Sequence, residues 1–239
     1  MAEEASSRFP KTRWTQVLEL GSASAPIRQR AFEQLCQIYW KPLYSYARRR
    51  GLSVHDAEDL TQGFLTRLIA RGEINHLDPE RGRLRSFLKA SFQNYMADED
   101  RRSSRQKRGG GSIEYLDIDA AERSYNRHLS NSDGPEKAFD QQWARIVLKR
   151  ALLALRAKFE ARDRVGTLRE LEIYLGPDNS APPYAVVAAR LGQSENTVAA
   201  AVARMRQEFG ALLRQEIAET LGPGQDVDEE LRYLLSIVS

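Results

Sequence analysis

The sequence predicts an all-α protein of two helical domains joined by a flexible linker. Apolar residues recur at three- and four-residue spacing through most of the chain, which is the period of amphipathic helices. The segment 109–135 is rich in Gly, Ser, Asp and Asn, a composition typical of a linker. We therefore expect a first domain over residues 9–108, a linker over 109–135, a second domain over 136–222 and a C-terminal helical tail over 223–239.

Composition predicts a folded protein of a reducing compartment. The chain has 239 residues, and its hydrophobic content of 41% is sufficient for a buried core. Cys36 is the only cysteine, which excludes an internal disulfide and a cysteine-built metal site. The first residues are acidic where a secretory signal is basic, and no run reaches the roughly 20 apolar residues of a membrane span. We expect a cytoplasmic protein with no membrane partner.

Positive charge is concentrated in one segment. The whole chain has 36 Lys and Arg against 33 Asp and Glu, a formal net charge of +3. Residues 81–108 alone contain nine basic and three acidic residues, a net charge of +6. A local charge larger than that of the whole chain, next to the Gly-rich start of the linker, predicts a surface that faces phosphates.

The first domain contains a helix with an acidic start. A short helix over residues 9–20 and a longer one over 26–50 precede it, and Pro42 predicts a kink or a restart within the longer helix. Ser53 is placed to cap the acidic helix, and its first two turns carry acidic residues, where the helix dipole favours negative charge. The residues expected on the exposed face of these turns are Asp56, Glu58, Asp59 and Gln62.

A basic helix follows after a loop over residues 72–82. Leu84, Leu88 and Phe92 are expected on its inner side. The residues expected on its outer side are Arg83, Arg85, Lys89, Gln93 and Asn94. A basic helix with aromatic residues and a preceding loop is suited to single-stranded or opened DNA.

The second domain contains a helix-turn-helix pattern. A long helix is expected from Pro135 to about residue 162, and a short helix over 184–191 is followed by a Gly-Gln turn at 192–193. Ser194 is placed to cap the next helix, whose N-terminal side chains would enter the major groove. The alanines at 199–201 offer little for reading bases, so we expect low affinity from this helix alone.

The last helix is expected over residues 228–238. It is apolar on one side and acidic at its start. We expect it to pack back on a domain, with a regulatory contact as the alternative.

Together, the two halves resemble the extracytoplasmic-function (ECF) group of bacterial RNA polymerase sigma factors. The resemblance rests on AEDLTQGFL (57–65), GRLRSFLKASFQNYMADEDRR (82–102) and YAVVAARLGQSENTVAAAVARMR (184–206). It implies sigma domain 2 over residues 9–108 and sigma domain 4 over 136–222. Gly63 departs from the family pattern, because many relatives carry an acidic residue there.

The resemblance implies a role for each candidate surface. The clamp helices of the largest subunit of core RNA polymerase would contact Asp56, Glu58, Asp59 and Gln62. The opened minus-ten strand of promoter DNA would contact Ile74, Asn75, His76, Arg81, Arg83, Arg85, Lys89 and Asn94. The minus-thirty-five element would contact Arg190, Ser194, Glu195, Asn196, Thr197, Ala200, Arg204 and Arg206. An anti-sigma factor or another regulator is a further partner, and no cofactor is implied.

Two other functions are compatible with parts of the sequence. A DNA-binding regulator that never joins polymerase would explain the helix-turn-helix, but it leaves the acidic helix without a partner. A metal-dependent nuclease would use His55, Asp56, Glu58 and Asp59. Neighbours one or two positions apart on a helix point to different faces, so only some of these side chains can converge. We expect neither catalysis nor a bound metal.

Overall fold

The structure is a computed structural model that describes residues 25–70, 82–103, 121–123, 125, 134–176, 181–222 and 224–238. Within these ranges the chain is helical and contains no strand, which confirms the all-α prediction. None of the helices in these ranges is long and apolar enough to span a membrane. The helix predicted over residues 9–20 lies outside the described residues.

The helices are numbered here in chain order. Their bounds are α1 Ala25–Arg49, α2 Val54–Ala70, α3 Leu84–Ser103, α4 Pro135–Glu160, α5 Val165–Leu171, α6 Tyr184–Leu191, α7 Glu195–Ala218 and α8 Val227–Val238, with a 3-10 turn at Glu172–Leu175 between α5 and α6. The predicted bounds of the long helix, of the helix-turn-helix and of the last helix agree closely with α4, α6, α7 and α8.

Helix α1 continues through Pro42, so the restart that the sequence suggests there is not observed. Proline removes one intrahelical hydrogen bond and disfavours a helix interior. The residues around it are nevertheless in the core, since Tyr39 and Leu43 are 0% exposed and Trp40 is 2% exposed. The Trp40 ring also stacks on the ring of Tyr44, with 5.1 Å between the centroids. Burial of these side chains outweighs the local cost of the proline.

Helix α4 connects the two predicted domains through a shared core. It packs along α1 and also against α7 and α8. The side chains that it buries completely are Phe139, Trp143, Ala144, Val147, Ala151 and Leu155. Helices α2 and α3 pack on α1, and α6 packs on α7, so one continuous cluster of buried side chains runs through both predicted domains.

Part of the predicted linker lies on α1. Ala121 is buried, and Glu122 accepts hydrogen bonds from Arg48 Nη2 at 2.9 Å and Nε at 3.1 Å. The Tyr44 hydroxyl also donates to Glu122. Burial and this carboxylate raise the pKa of the Tyr44 phenol. The Arg48 guanidinium lies 5.1 Å from the centroid of the Tyr125 ring. Glu122 and Tyr125 of the predicted linker therefore have specific contacts with α1.

Candidate nucleic-acid interface

The acidic start of α2 is open to solvent. Ser53 caps the helix as predicted, because its Oγ accepts a hydrogen bond from the Asp56 backbone N–H at 3.1 Å. The same hydroxyl donates to Asp56 Oδ2 at 2.7 Å. Asp56 and Asp59 are exposed, and Glu58 is partly buried. These carboxylates can contact a basic partner without rearrangement of the helix.

Gln62 lies below this acidic turn rather than on its exposed face. The residue is only 3% exposed, and its Nε2 donates a hydrogen bond to Glu58 Oε1 at 2.9 Å. The predicted exposure of Gln62 is wrong, because α2 packs against both α1 and α3 and this widens its buried side. Gln62 therefore orients Glu58 from within the protein.

Gly63 marks a close approach between α2 and α3. An ideal Cβ at this position would lie 2.6 Å from the hydroxyl oxygen of Tyr95 on α3, a distance that real Cβ atoms essentially never show. The Tyr95 ring packs against Phe64 with 5.7 Å between the centroids, and the Arg67 guanidinium lies 5.4 Å from the same ring. Any side chain at position 63 would displace this ring. The packing accounts for the departure of Gly63 from the family pattern.

Arg85 is the centre of a buried set of charges at the start of α3. It is 4% exposed, although the helical pattern predicts it on the outer side. Its Nε and Nη2 donate to the two carboxylate oxygens of Glu230 on α8, at 2.5 Å and 3.2 Å, and its Nη1 donates to Asp140 Oδ1 on α4 at 2.9 Å. The predicted outer position is wrong because α4 and α8 cover this side of α3.

Aromatic rings enclose the Arg85 guanidinium. It lies 4.4 Å from the Tyr233 centroid and 5.1 Å from the Trp143 centroid. Burial alone would lower the pKa of Arg85, but the hydrogen bonds and charges of Glu230 and Asp140 more than offset this effect and raise the pKa. Burial and the hydrogen bond that the Tyr233 hydroxyl donates to Asp140 Oδ2 at 2.8 Å raise the Tyr233 pKa to about 12. The charged guanidinium of Arg85 is therefore stabilised by two carboxylates and by two aromatic rings.

Two further cations, Lys89 of α3 and Arg83 immediately before it, contact carboxylates of α4 and α8. Lys89 Nζ donates to Asp140 Oδ2 at 2.8 Å. Arg83 Nη2 lies 2.9 Å from Glu229 Oε1, and its Nε lies 2.9 Å from Glu230 Oε2. We refer to Arg83, Arg85, Lys89, Asp140, Glu229, Glu230 and Tyr233 as the α3–α8 charge cluster.

The other residues predicted for the minus-ten strand are not in this cluster. Asn94 is exposed on α3. Ile74, Asn75, His76 and Arg81 lie outside the described residues. The cluster therefore contains Arg83, Arg85 and Lys89, which the sequence analysis assigned to DNA, and leaves Asn94 accessible.

Sequence reasoning did not identify the carboxylates of the cluster. Asp140 is three, four and seven positions before Trp143, Ala144 and Val147, so it lies on the apolar stripe of α4. It is 3% exposed, and Glu230 on α8 is 0% exposed. A buried carboxylate requires a cation or hydrogen-bond donors. The position of Asp140 on the apolar stripe was the available signal for a buried basic partner.

Helices α6 and α7 are joined by a short turn at the positions of the predicted helix-turn-helix. Gly192 ends α6 with a φ of 62°, and Ser194 Oγ accepts a hydrogen bond from the Thr197 backbone N–H at 3.2 Å. The side chains buried on the inner sides of the two helices include Val187, Ala188, Val198, Val202 and Met205. The residues predicted to face DNA are all exposed, namely Ser194, Glu195, Asn196, Thr197 and Ala200. This surface can meet a groove without rearrangement.

The three arginines predicted near phosphates differ in their surroundings. Arg190 Nη1 donates to Glu170 Oε2 at 3.2 Å. Arg206 donates twice to the carbonyl oxygen of Tyr174, at 2.8 Å and 3.0 Å, and so ties the 3-10 turn to α7. Arg204 is exposed on α7. Of the three, Arg206 has the clearest structural role.

A metal site is not found in the described part of the chain. No group of three or more His, Cys, Asp or Glu side chains there could hold a metal ion. His55 Nε2 lies 3.5 Å from Asp59 Oδ2, and both side chains are exposed. His76 and His128 lie outside the described residues. The acidic turn of α2 therefore presents charges for contact with a partner and no cluster for a metal.

Comparison with known families gives one match. Residues 35–106 match the family model of Sigma-70 region 2. The matched residues include most of α1 and all of α2 and α3. The matched segment is 72 of the 239 residues, so the match shows similarity to region 2 of the sigma-70 factors, which are non-enzymatic transcription factors. Comparisons with curated proteins and with solved structures give no match.

Proposed function

We propose that the chain is an ECF-type sigma factor that binds core RNA polymerase and directs initiation at specific promoters. The observation that carries the proposal is the match to Sigma-70 region 2 over residues 35–106. This segment contains the exposed acidic turn of α2 and the basic helix α3. The helix-turn-helix of α6 and α7 supports a second DNA-binding unit in the same chain. The proposal places the protein in the cytoplasm, with an anti-sigma factor or another regulator as a further partner.

The acidic turn of α2 is the proposed contact with polymerase. Asp56 and Asp59 present carboxylates to solvent, and Gln62 orients Glu58 beside them. A basic surface such as the clamp helices of the largest subunit would be attracted by these charges. Because the carboxylates are largely exposed, dissolved salt would screen their attraction to the basic surface. The screening length is about 10 Å at moderate ionic strength.

Region 2 is the proposed site of promoter opening. Opening DNA needs no covalent chemistry, since the factor only has to bind the opened strand more tightly than the duplex. In the proposal, an extruded base is captured by Ile74, Asn75, His76 and Arg81. The opened strand is held by Asn94 and by the cations at the start of α3. Each captured base offsets part of an unpairing cost on the order of a few kcal/mol.

The N-terminal face of α7 is the proposed reader of the minus-thirty-five element. Its exposed polar groups are the hydroxyls of Ser194 and Thr197, the carboxylate of Glu195 and the amide of Asn196. Arg204 is available for a phosphate contact, whereas Arg190 and Arg206 have partners within the protein. Few charges at this face mean weak binding to free DNA, so specificity would depend on attachment to polymerase.

A pull-down with core polymerase and in vitro transcription from genomic fragments test the proposal. The wild-type chain is expected to bind core and to produce start sites that core alone does not. Asp59→Arg is expected to weaken core binding at least tenfold, which corresponds to about 1.4 kcal/mol.

The matched control is Glu160→Arg, which reverses an exposed acid at the end of α4 and should leave core binding unchanged. Failure of the wild-type chain to bind core, together with specific DNA binding on its own, would favour a regulator that never joins polymerase. Equal core affinities of Asp59→Arg and wild type would remove α2 from the proposed contact.

A further inference from the structure

The C-terminal helix α8 contributes the carboxylates that shield the start of α3. Glu229 contacts Arg83, and Glu230 contacts both Arg83 and Arg85. These residues are separated by more than 140 positions in the chain, so only the folded arrangement brings them together. Arg85 is 4% exposed in this arrangement.

The contacts of α8 and of nucleic acid at Arg85 exclude each other. Glu230 receives two N–H groups of the Arg85 guanidinium, one at each carboxylate oxygen. A phosphate group uses the same planar pair of donors and the same geometry. A guanidinium that is enclosed by Glu230, Tyr233 and Trp143 cannot reach a phosphate until α8 has moved.

Helix α8 is suited to leave without unfolding the rest of the chain. Within its 12 residues only Glu230 and Leu234 are fully buried; Val227, Leu231, Ile237 and Val238 pack partly buried on the core, and Leu235 is 46% exposed. Helix α8 packs on α4 and α7, and it covers α3 only at its start, through Glu229, Glu230 and Tyr233. A buried ion pair contributes little net stability, because the desolvation cost offsets most of the attraction. Exchange of a carboxylate for a phosphate would keep Arg85 paired, so the exchange can be nearly balanced in free energy.

We propose that α8 is an intramolecular competitor of nucleic acid, which shields Arg83 and Arg85 in a closed state and is displaced when the opened strand binds α3. The proposal rests on the proposed function, in which α3 contacts promoter DNA. Asp140 contacts both Lys89 and Arg85 Nη1 from α4, so these two contacts remain when α8 leaves. The displaced helix therefore frees Arg83 from Glu229 and Glu230, and frees the Nε and Nη2 donors of Arg85 from Glu230.

The first experiment measures the closed state without DNA or polymerase. The full-length Glu229→Gln/Glu230→Gln variant and the wild type are treated with phenylglyoxal, and the modification of Arg83 and Arg85 is followed by mass spectrometry relative to the exposed Arg204. We expect the modification of both arginines to increase several-fold in the variant. The control, Glu172→Gln, removes the carboxylate of the Arg156 pair away from the cluster and should give the wild-type pattern. Unchanged modification of Arg85 in a folded double variant would overturn the proposal.

The second experiment measures binding of the same proteins to a mixed-sequence single-stranded DNA oligonucleotide. Two freed phosphate contacts should increase affinity at low salt by on the order of tenfold. They should also make the slope of log affinity against log salt concentration steeper by roughly 1.4, at about 0.7 for each phosphate contact. If Arg85 becomes reactive but affinity and salt dependence do not change, α8 does not compete with nucleic acid and the proposal is wrong.

A third experiment covers the case in which the double variant does not fold. A protease site is inserted between Gly224 and Gln225, and the folded full-length chain is cleaved in place. Dilution then releases α8, because the covalent link that keeps its local concentration high is lost. We expect DNA affinity to increase after cleavage and an added peptide of residues 227–238 to reverse the increase. The same peptide with Glu230→Gln should not reverse it. Equal affinities before and after removal of α8 would contradict the proposal.

These outcomes are separable from those of the proposed function. Arginine modification, oligonucleotide binding and peptide addition need neither core polymerase nor a promoter. If α8 removal increases DNA affinity but core does not bind, the competitor role stands and the sigma function fails. If core binding and transcription occur but α8 removal changes nothing, only the competitor role fails.

Discussion

The two candidate DNA surfaces differ in what their charged and polar groups contact in the folded chain. At the start of α3, Arg85 is 4% exposed and is paired with carboxylates of α4 and α8. At the start of α7, Glu195 and Asn196 are exposed. The cations at the start of α3 are thus more shielded than the N-terminal face of α7, which is open and carries little charge. A basic segment in a sequence does not by itself create a basic surface, because distant acids can neutralise it.

The largest expected effect in this comparison comes from removal of Arg85. Arg85→Ala leaves the buried carboxylates Glu230 and Asp140 without their main cation, so the free energy of unfolding should fall by about 3–5 kcal/mol. Equilibrium urea unfolding measures this loss. The matched change on the open surface, Arg204→Ala, should alter stability by no more than about 0.5 kcal/mol. Similar losses for the two variants would mean that the cluster is not buried in solution.

A smaller effect is expected at the cap of α7. Ser194→Ala removes the hydrogen bond from the Thr197 backbone N–H and should lower the free energy of unfolding by about 1 kcal/mol. Ser194→Asp keeps an acceptor at the same place and should retain most of the stability. Asn196→Ala, at an exposed residue two positions further, should be nearly neutral. Thermal unfolding of the three variants measures the capping contribution of Ser194 independently of the proposed contact with DNA.

The smallest effect is expected for a partly exposed ion pair between Arg162, just after α4, and Glu208 of α7. Arg162 donates two hydrogen bonds to Glu208 at 3.0 Å, and Lys158 Nζ lies 3.4 Å from the same carboxylate. Because the Arg162 side chain is 53% exposed, Glu208→Gln should cost no more than about 1 kcal/mol. This pair provides the exposed counterpart to the buried cluster.

The pH dependence of that pair has a defined sign. The hydrogen bonds from Arg162, and then those from Lys158, lower the pKa of Glu208 against the opposing effect of burial. The stabilising contribution is therefore complete above the pKa of the unfolded chain and is lost as the pH falls through the lowered pKa of the folded state. The stability difference between wild type and Glu208→Gln should shrink on acidification. A difference that grows toward low pH would contradict this assignment.

The spacing of apolar residues and the Gly and Ser residues at helix ends predicted the local structure well. The helix-turn-helix follows from the spacing of its apolar residues together with Gly192 and Ser194, and both of these residues have the predicted geometry. Pro42 is the exception, because the local rule for proline is overridden by a core that includes Tyr39 and Trp40. Tertiary packing of this kind involves residues on other helices, so a single stretch of sequence does not disclose it.

Burial of polar residues was the part that periodicity could not predict. A helical pattern assigns one inner side, but α2 contacts both α1 and α3, which buries Gln62. In the same way, α3 is covered by α8 from the far end of the chain, which buries Arg85. Exposure of these residues depends on pairings between helices that are distant in sequence. Their assigned roles toward polymerase and DNA remain predictions.

The close approach of Gly63 and Tyr95 links two helices with different proposed partners. An acidic side chain at position 63 would extend the charge on α2, but it would need the space that the Tyr95 hydroxyl occupies on α3. The two positions are therefore expected to vary as a pair among related sequences, with a smaller side chain at 95 wherever 63 is acidic. A designer who wished to strengthen the acidic face of α2 would have to begin by changing α3.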